Sequence, residues 1–127
     1  MQVLRPYDRK LAKKLEYKTI ASLKRYHQYK KITKMQNSEY AEDTSRYYTA
    51  LRWYEIIRST LEEWRKFFPE DAKVITLIFG LGDHVRAESV TKAAMECNYS
   101  ESTVYKIRKD FVMEVSYKAV KEGLLPF

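Results

Sequence analysis

The chain has 127 residues, the size of one domain, with 24 Lys and Arg against 17 Asp and Glu and a net charge of +7. Three Gly and three Pro are too few for the turns of a β-sandwich or barrel, so an all-α fold is expected. One Cys excludes an intramolecular disulfide framework and a thiolate metal cluster. No apolar signal-peptide core follows Met1, and the apolar stretch near Val74 to Leu81 is too short to span a bilayer. These features predict a soluble, cytoplasmic chain with no membrane span. The basic bias suits a nucleic acid, an anionic membrane surface or an acidic protein partner.

The charge is uneven. Residues 1–34 carry +9, residues 35–71 carry −3 and residues 72–127 carry +1. Sparse punctuation at Asn37-Ser38, Pro69, Gly80 and Gly82, Asn98 and Gly123 divides the chain into helical blocks. The first block is predicted as one helix over residues 6–31, with Pro6 in its first turn. Leu11, Leu15, Thr19, Tyr26 and Tyr29 share one side, with Ala12 and Leu23 at its edge. Lys10, Lys13, Lys14, Lys18, Lys24, Arg25 and Lys31 gather opposite, which makes an amphipathic helix with a basic face. That face is either a solvated surface or a surface for phosphate or an acidic partner. A membrane-surface role is disfavoured by the modest, Tyr-rich apolar side.

The second block starts within residues 38–45, where Asp43, Thr44 or Ser45 are cap candidates, and runs to about Phe67. Tyr47, Ala50, Tyr54, Ile57, Leu61, Trp64 and Phe68 follow a heptad-like spacing. Such a stripe serves as internal core or as a coiled-coil or dimer seam. Trp53 lies outside it, which leaves a wider buried face open. Pro69 then ends this helix and starts another, with Glu70 and Asp71 at its positive end and Val74, Ile75, Leu77 and Ile78 as its apolar set.

The most specific pattern follows the break at Gly80-Leu81-Gly82-Asp83. From Val90 to Ile107 the spacing fits a helix-turn-helix unit. Ala94 is the small residue that lets two helices cross closely. Asn98, four residues on, suits the left-handed turn because its short polar side chain tolerates positive φ. Tyr99 packs back into the corner, and Ser100 caps the second helix. Val104 and Ile107 fill the space between helices, while Val90 and Cys97 complete the apolar side of the first.

In a DNA-binding unit of this kind the second helix enters the major groove by its N-terminal half. The side away from Val104 and Ile107 presents Ser100, Glu101, Ser102, Tyr105, Lys106 and Lys109, with Arg108 more lateral. Lys106 suits guanine O6 and N7, and Glu101 suits cytosine N4. Ser100, Ser102 and Tyr105 suit bases or phosphates, and Thr91 and Lys92 suit backbone phosphates. Residues 90–110 hold four basic and three acidic side chains, so this reading head is nearly neutral and affinity is expected from the basic first helix. Beyond the minimal unit, Phe111, Val112, Val115, Ala119 and Val120 continue the apolar pattern to a stop at Gly123. They are expected to pack on the first two blocks or to form a homodimer contact.

No catalytic or metal constellation is found. His27 and His84 are the only histidines, His84 beside Asp83 in a loop reads as a surface polar pair, and Cys97 reads as a core thiol. The reading is of a non-enzyme without cofactor.

The run Phe68-Pro69-Glu70-Asp71-Ala72-Lys73-Val74-Ile75, a loop, and then the unit from Ala94 to Ile107 resembles the fourth-region DNA-binding domain of bacterial sigma factors. A basic first helix and a Tyr- and Trp-bearing middle helix before such a unit resemble small phage late-transcription activators of the ArpU and RinA type. The chain departs from the pattern in having Asn98 at the usual glycine and a longer loop from Gly80 to Ser89. The resemblance implies a phage or prophage late-gene activator that binds double-stranded DNA beside host RNA polymerase. A small terminase-like packaging protein and a polymerase-binding module without DNA readout are the alternatives. The expected architecture is a helical bundle, with residues 1–67 as an accessory or interaction part and residues 68–127 as the helix-turn-helix part.

Overall fold

The longest helices of the chain supply its two central supports. In the computed structural model, which describes residues 6–34, 44–83 and 86–125, every regular element among those residues is a helix. In order they are α1 (Pro6–Lys24), α2 (Tyr26–Lys34), α3 (Thr44–Phe67), α4 (Pro69–Phe79), α5 (Val90–Cys97) and α6 (Glu101–Lys121). The fold is an all-α bundle. Met1, the punctuation at Asn37-Ser38, the cap candidate Asp43, and His84 lie outside the described residues, as do the side chains of Thr44 and Ser45.

Helix α3 packs on α2, α4 and α6, and α6 packs on α1, α3, α4 and α5. The aromatic stripe of α3 is used inside the chain: Ala50, Ile57, Leu61 and Trp64 are buried, and Tyr47 and Tyr54 are half-buried. Trp53, Ile56 and Thr60 are buried as well, so the buried face is wider than one heptad seam. Only Phe68, after the end of α3, breaks the pattern by being exposed. On α6, Phe111, Val112, Val115 and Ala119 are fully buried. The Phe111 ring meets Trp64 edge to face at 5.1 Å, and the Trp64 indole N–H donates to Glu114. Lys118 donates to the Thr60 hydroxyl at 3.0 Å and pairs with Glu63 at 3.5 Å. Phe111, Val112, Val115 and Ala119 are therefore spent within the chain, and a homodimer would have to use other residues.

The first block differs from expectation. It is two helices, not one, with a turn at Arg25, whose N–H bonds the Ser22 carbonyl at 3.0 Å. No Gly or Pro marks this break. Its cause is tertiary: α1 lies on α6 while α2 lies mainly on α3, and one straight rod cannot follow both. Thr19 is fully buried at the α1–α6 contact. Its hydroxyl donates to the Leu15 carbonyl at 2.8 Å, so Ser116 donates to Thr19 at 2.6 Å. On α2, Tyr26 stacks with Tyr54 at 5.4 Å, His27 Nε2 donates to the Gly80 carbonyl at 2.6 Å and Lys30 pairs with Asp83 at 3.1 Å. Leu23, Tyr26, Trp64, Val74 and Phe111 belong to one continuous core, so the helices on either side of residue 67 share their buried surface.

Candidate nucleic-acid interface

Helices α4, α5 and α6 pack on one another as a three-helix unit, and local chemistry ends each helix where the tertiary fold needs it. Gly80 ends α4 at φ 62°, with the Leu81 N–H returning to the Thr76 carbonyl at 3.0 Å. Ser89 opens α5 by accepting from the Lys92 N–H at 3.1 Å. The turn residue Asn98 has φ 60° and ψ 39°, and it is the non-glycine residue at positive φ among the described residues. The Tyr99 N–H returns to the Ala94 carbonyl at 3.0 Å, which closes the turn. Ser100 then caps α6 by accepting from the Thr103 N–H at 3.2 Å.

Small residues set the helix crossing. Ala93 and Ala94 are buried where α5 meets its neighbours, and Val104 and Ile107 are buried on the facing side of α6. Val90 and Cys97 are half-buried, and burial pushes the Cys97 thiol up from its ordinary value. Tyr99 fastens the turn to the start of α4, with its hydroxyl 3.1 Å from Asp71 Oδ1 and 3.2 Å from Glu70 Oε2, and donating there. Desolvation, followed by these two carboxylates, pushes its phenol up to about 12.

The outward side of α6 carries Ser102, Tyr105, Lys106 and Lys109, all exposed, beside Ser100 and Glu101 at its start. Thr91 and Lys92 are exposed on the first turn of α5. The structure thus brings together all nine positions expected from sequence, but it gives several of them internal partners. Ser100 serves the cap and touches the Ser102 and Thr103 hydroxyls at 3.1 and 2.8 Å. Thr91 donates to Glu101 Oε1 at 2.5 Å, which holds that carboxylate toward α5. Lys92 pairs with Glu88 at 3.2 Å. Arg108 is half-buried and lies over the Phe79 ring at 5.8 Å, so it borders the outward face of α6. Ser102, Tyr105, Lys106 and Lys109 carry the simplest geometry for an external ligand.

The basic face of the N-terminal block is equally open: Lys10, Lys13, Lys14, Lys18, Lys24, Arg25 and Lys31 are all exposed. Tyr17 stands among them, 77% exposed. Its signal in the sequence is an aromatic residue four positions after Lys13 on a basic face. Lys24 lines a groove together with Tyr105, Arg108, Ser89 and Val90, so the end of α1 borders the helix-turn-helix.

Among the described residues no His, Cys, Asp and Glu group could hold a metal ion, and no helix is long and apolar enough to cross a membrane. No family model, no curated protein and no solved structure matches the chain.

Proposed function

We propose that this protein is a non-enzymatic, sequence-specific regulator of transcription that reads double-stranded DNA with α6. The observation that carries the reading is the α5–α6 turn. Asn98 in the left-handed region, Ser89 and Ser100 as caps, and alanines at the crossing aim Ser102, Tyr105, Lys106 and Lys109 outward from a buried base of Val104 and Ile107. A helix held this way offers its N-terminal half to the major groove. Lys106 donates to guanine, while Tyr105, Ser102 and Lys109 bond bases or the phosphates beside them.

The finer reading is that the regulator activates late genes of a phage or prophage beside host RNA polymerase. It rests on the resemblance of residues 68–112 to the fourth region of sigma factors. Binding-site selection on random duplex DNA, repeated across a salt series, tests the proposal. Enrichment of one motif, with affinity falling linearly in log salt, is the expected result. No enrichment at any salt, with polymerase association retained, would leave an interaction module. A stable ring of many copies would point to genome packaging.

A further inference from the structure

We infer that α1 is a second DNA-binding element, and that one line of its basic face, Lys10, Lys13, Tyr17 and Lys24, grips the phosphate backbone beside the site read by α6. The inference rests on the proposed DNA-binding role and adds a division within the basic face that the sequence treats as uniform.

Two contacts fix how α1 runs. Thr19 meets Ser116 near the C-terminal end of α6, and Lys24 borders the groove beside Tyr105 and Arg108 near its N-terminal end. Helix α1 is therefore antiparallel to the recognition helix and lies along its flank. The Lys24 end of α1 thus lies toward the N-terminal half of α6, beside the phosphate ridge that would border its groove, and the line runs back from there toward Lys10. At 100° per residue, Lys10, Tyr17 and Lys24 are two turns apart on one line, and Lys13 joins it one turn before Tyr17. This is the line that ends in the groove shared with α6. Lys14 and Lys18 fall on another line, turned about 90° from it around α1. From Lys10 to Lys24 the line spans about 21 Å at 1.5 Å per residue, long enough to meet several successive phosphates.

The groove has the charge this occupant needs. Lys24 and Arg108 are its cations, and its one acidic residue, Glu88, is paired with Lys92. The Tyr17 ring stands in the middle of the lysine line and offers a flat apolar surface and one hydroxyl donor to sugar and phosphate. The nearly neutral reading head needs such a source of affinity. Its own contacts specify more than they hold.

Two charge-matched variants of the full chain test the inference, Lys13→Gln/Lys24→Gln and Lys14→Gln/Lys18→Gln. Binding is measured by fluorescence anisotropy on a selected site and on random duplex, across a salt series, with circular dichroism to verify the fold. The first pair is expected to lose roughly tenfold or more in affinity at about 0.15 M salt and about two units of salt slope, at roughly 0.9 per phosphate. The second pair is expected to change affinity less than about twofold. Equal losses for the two pairs, or none for either, would overturn the inference, as would loss of binding to anionic vesicles with DNA affinity unchanged. If random duplex still responds only to the first pair but no sequence preference exists, α1 keeps its role and the readout by α6 falls. If a motif is selected and the pairs behave alike, α6 keeps its role and the inference about α1 falls.

Discussion

Asn98 carries the turn between α5 and α6. An L-residue in the left-handed region costs about 1–2 kcal/mol, which Gly escapes and Asn partly escapes. Asn98→Gly is expected to keep or raise the urea midpoint, whereas Asn98→Val lowers stability by about 1–2 kcal/mol. A Val variant as stable as the parent would mean that the turn is not held at the φ of 60°. The tyrosines give a second expectation. Burial, and for Tyr99 the Asp71 and Glu70 carboxylates, raise the phenols of Tyr26 and Tyr99 to about 12. A phenol whose folded value is raised stabilises the fold fully below its unfolded value near 10, and this contribution is lost as pH rises through about 12. The urea midpoint should therefore fall between pH 10 and 12, with a smaller fall for Tyr99→Phe. A flat profile would remove these two phenols from the account.

Helices differ in how much of them the sequence discloses, and the difference follows the range of the forces that set them. Helix α5, its turn and the start of α6 were legible because their determinants are local: Ala94 for close approach, Asn98 for the turn, Ser100 for the cap. Pro69 and Gly80 likewise bound α4 where the chain itself changes chemistry. The α1–α2 break was not legible. Nothing near Arg25 disfavours a helix, and the break exists because residues on its two sides pack on different partners, Ser116 for Thr19 and Tyr54 for Tyr26. The candidate site was legible as a set of positions but not in its internal bonds. That Glu101 accepts from Thr91 and that Arg108 turns to Phe79 depend on how three helices meet, whereas Lys92 and Glu88 are a local pair four residues apart.

At the scale of the molecule, the shared core bears on how the chain can be divided. Residues 68–127 alone would expose Phe111, Val112, Val115 and Ala119, which α1 and α3 help to bury, and would leave Trp64 and Thr19 behind. Each large apolar side chain returned to water costs about 1.5–3 kcal/mol, so a fragment of residues 68–127 is expected to show no cooperative thermal transition. A sharp transition near that of the full chain would make the helix-turn-helix an independent unit. The same packing gives the charge distribution a place. The +8 of residues 10–34 sits on helices that share a core with α4, α5 and α6, not on a separate arm.

The central claim is that α6 reads base pairs, and Lys106 is the residue on which it turns. Binding-site selection on random duplex DNA, run in parallel for the parent chain and Lys106→Ala, tests it most directly. One enriched motif is expected for the parent, and loss of preference at a single guanine position in the variant, worth about 1–3 kcal/mol there, with the other positions unchanged. The same motif with the same preferences from both proteins would contradict it.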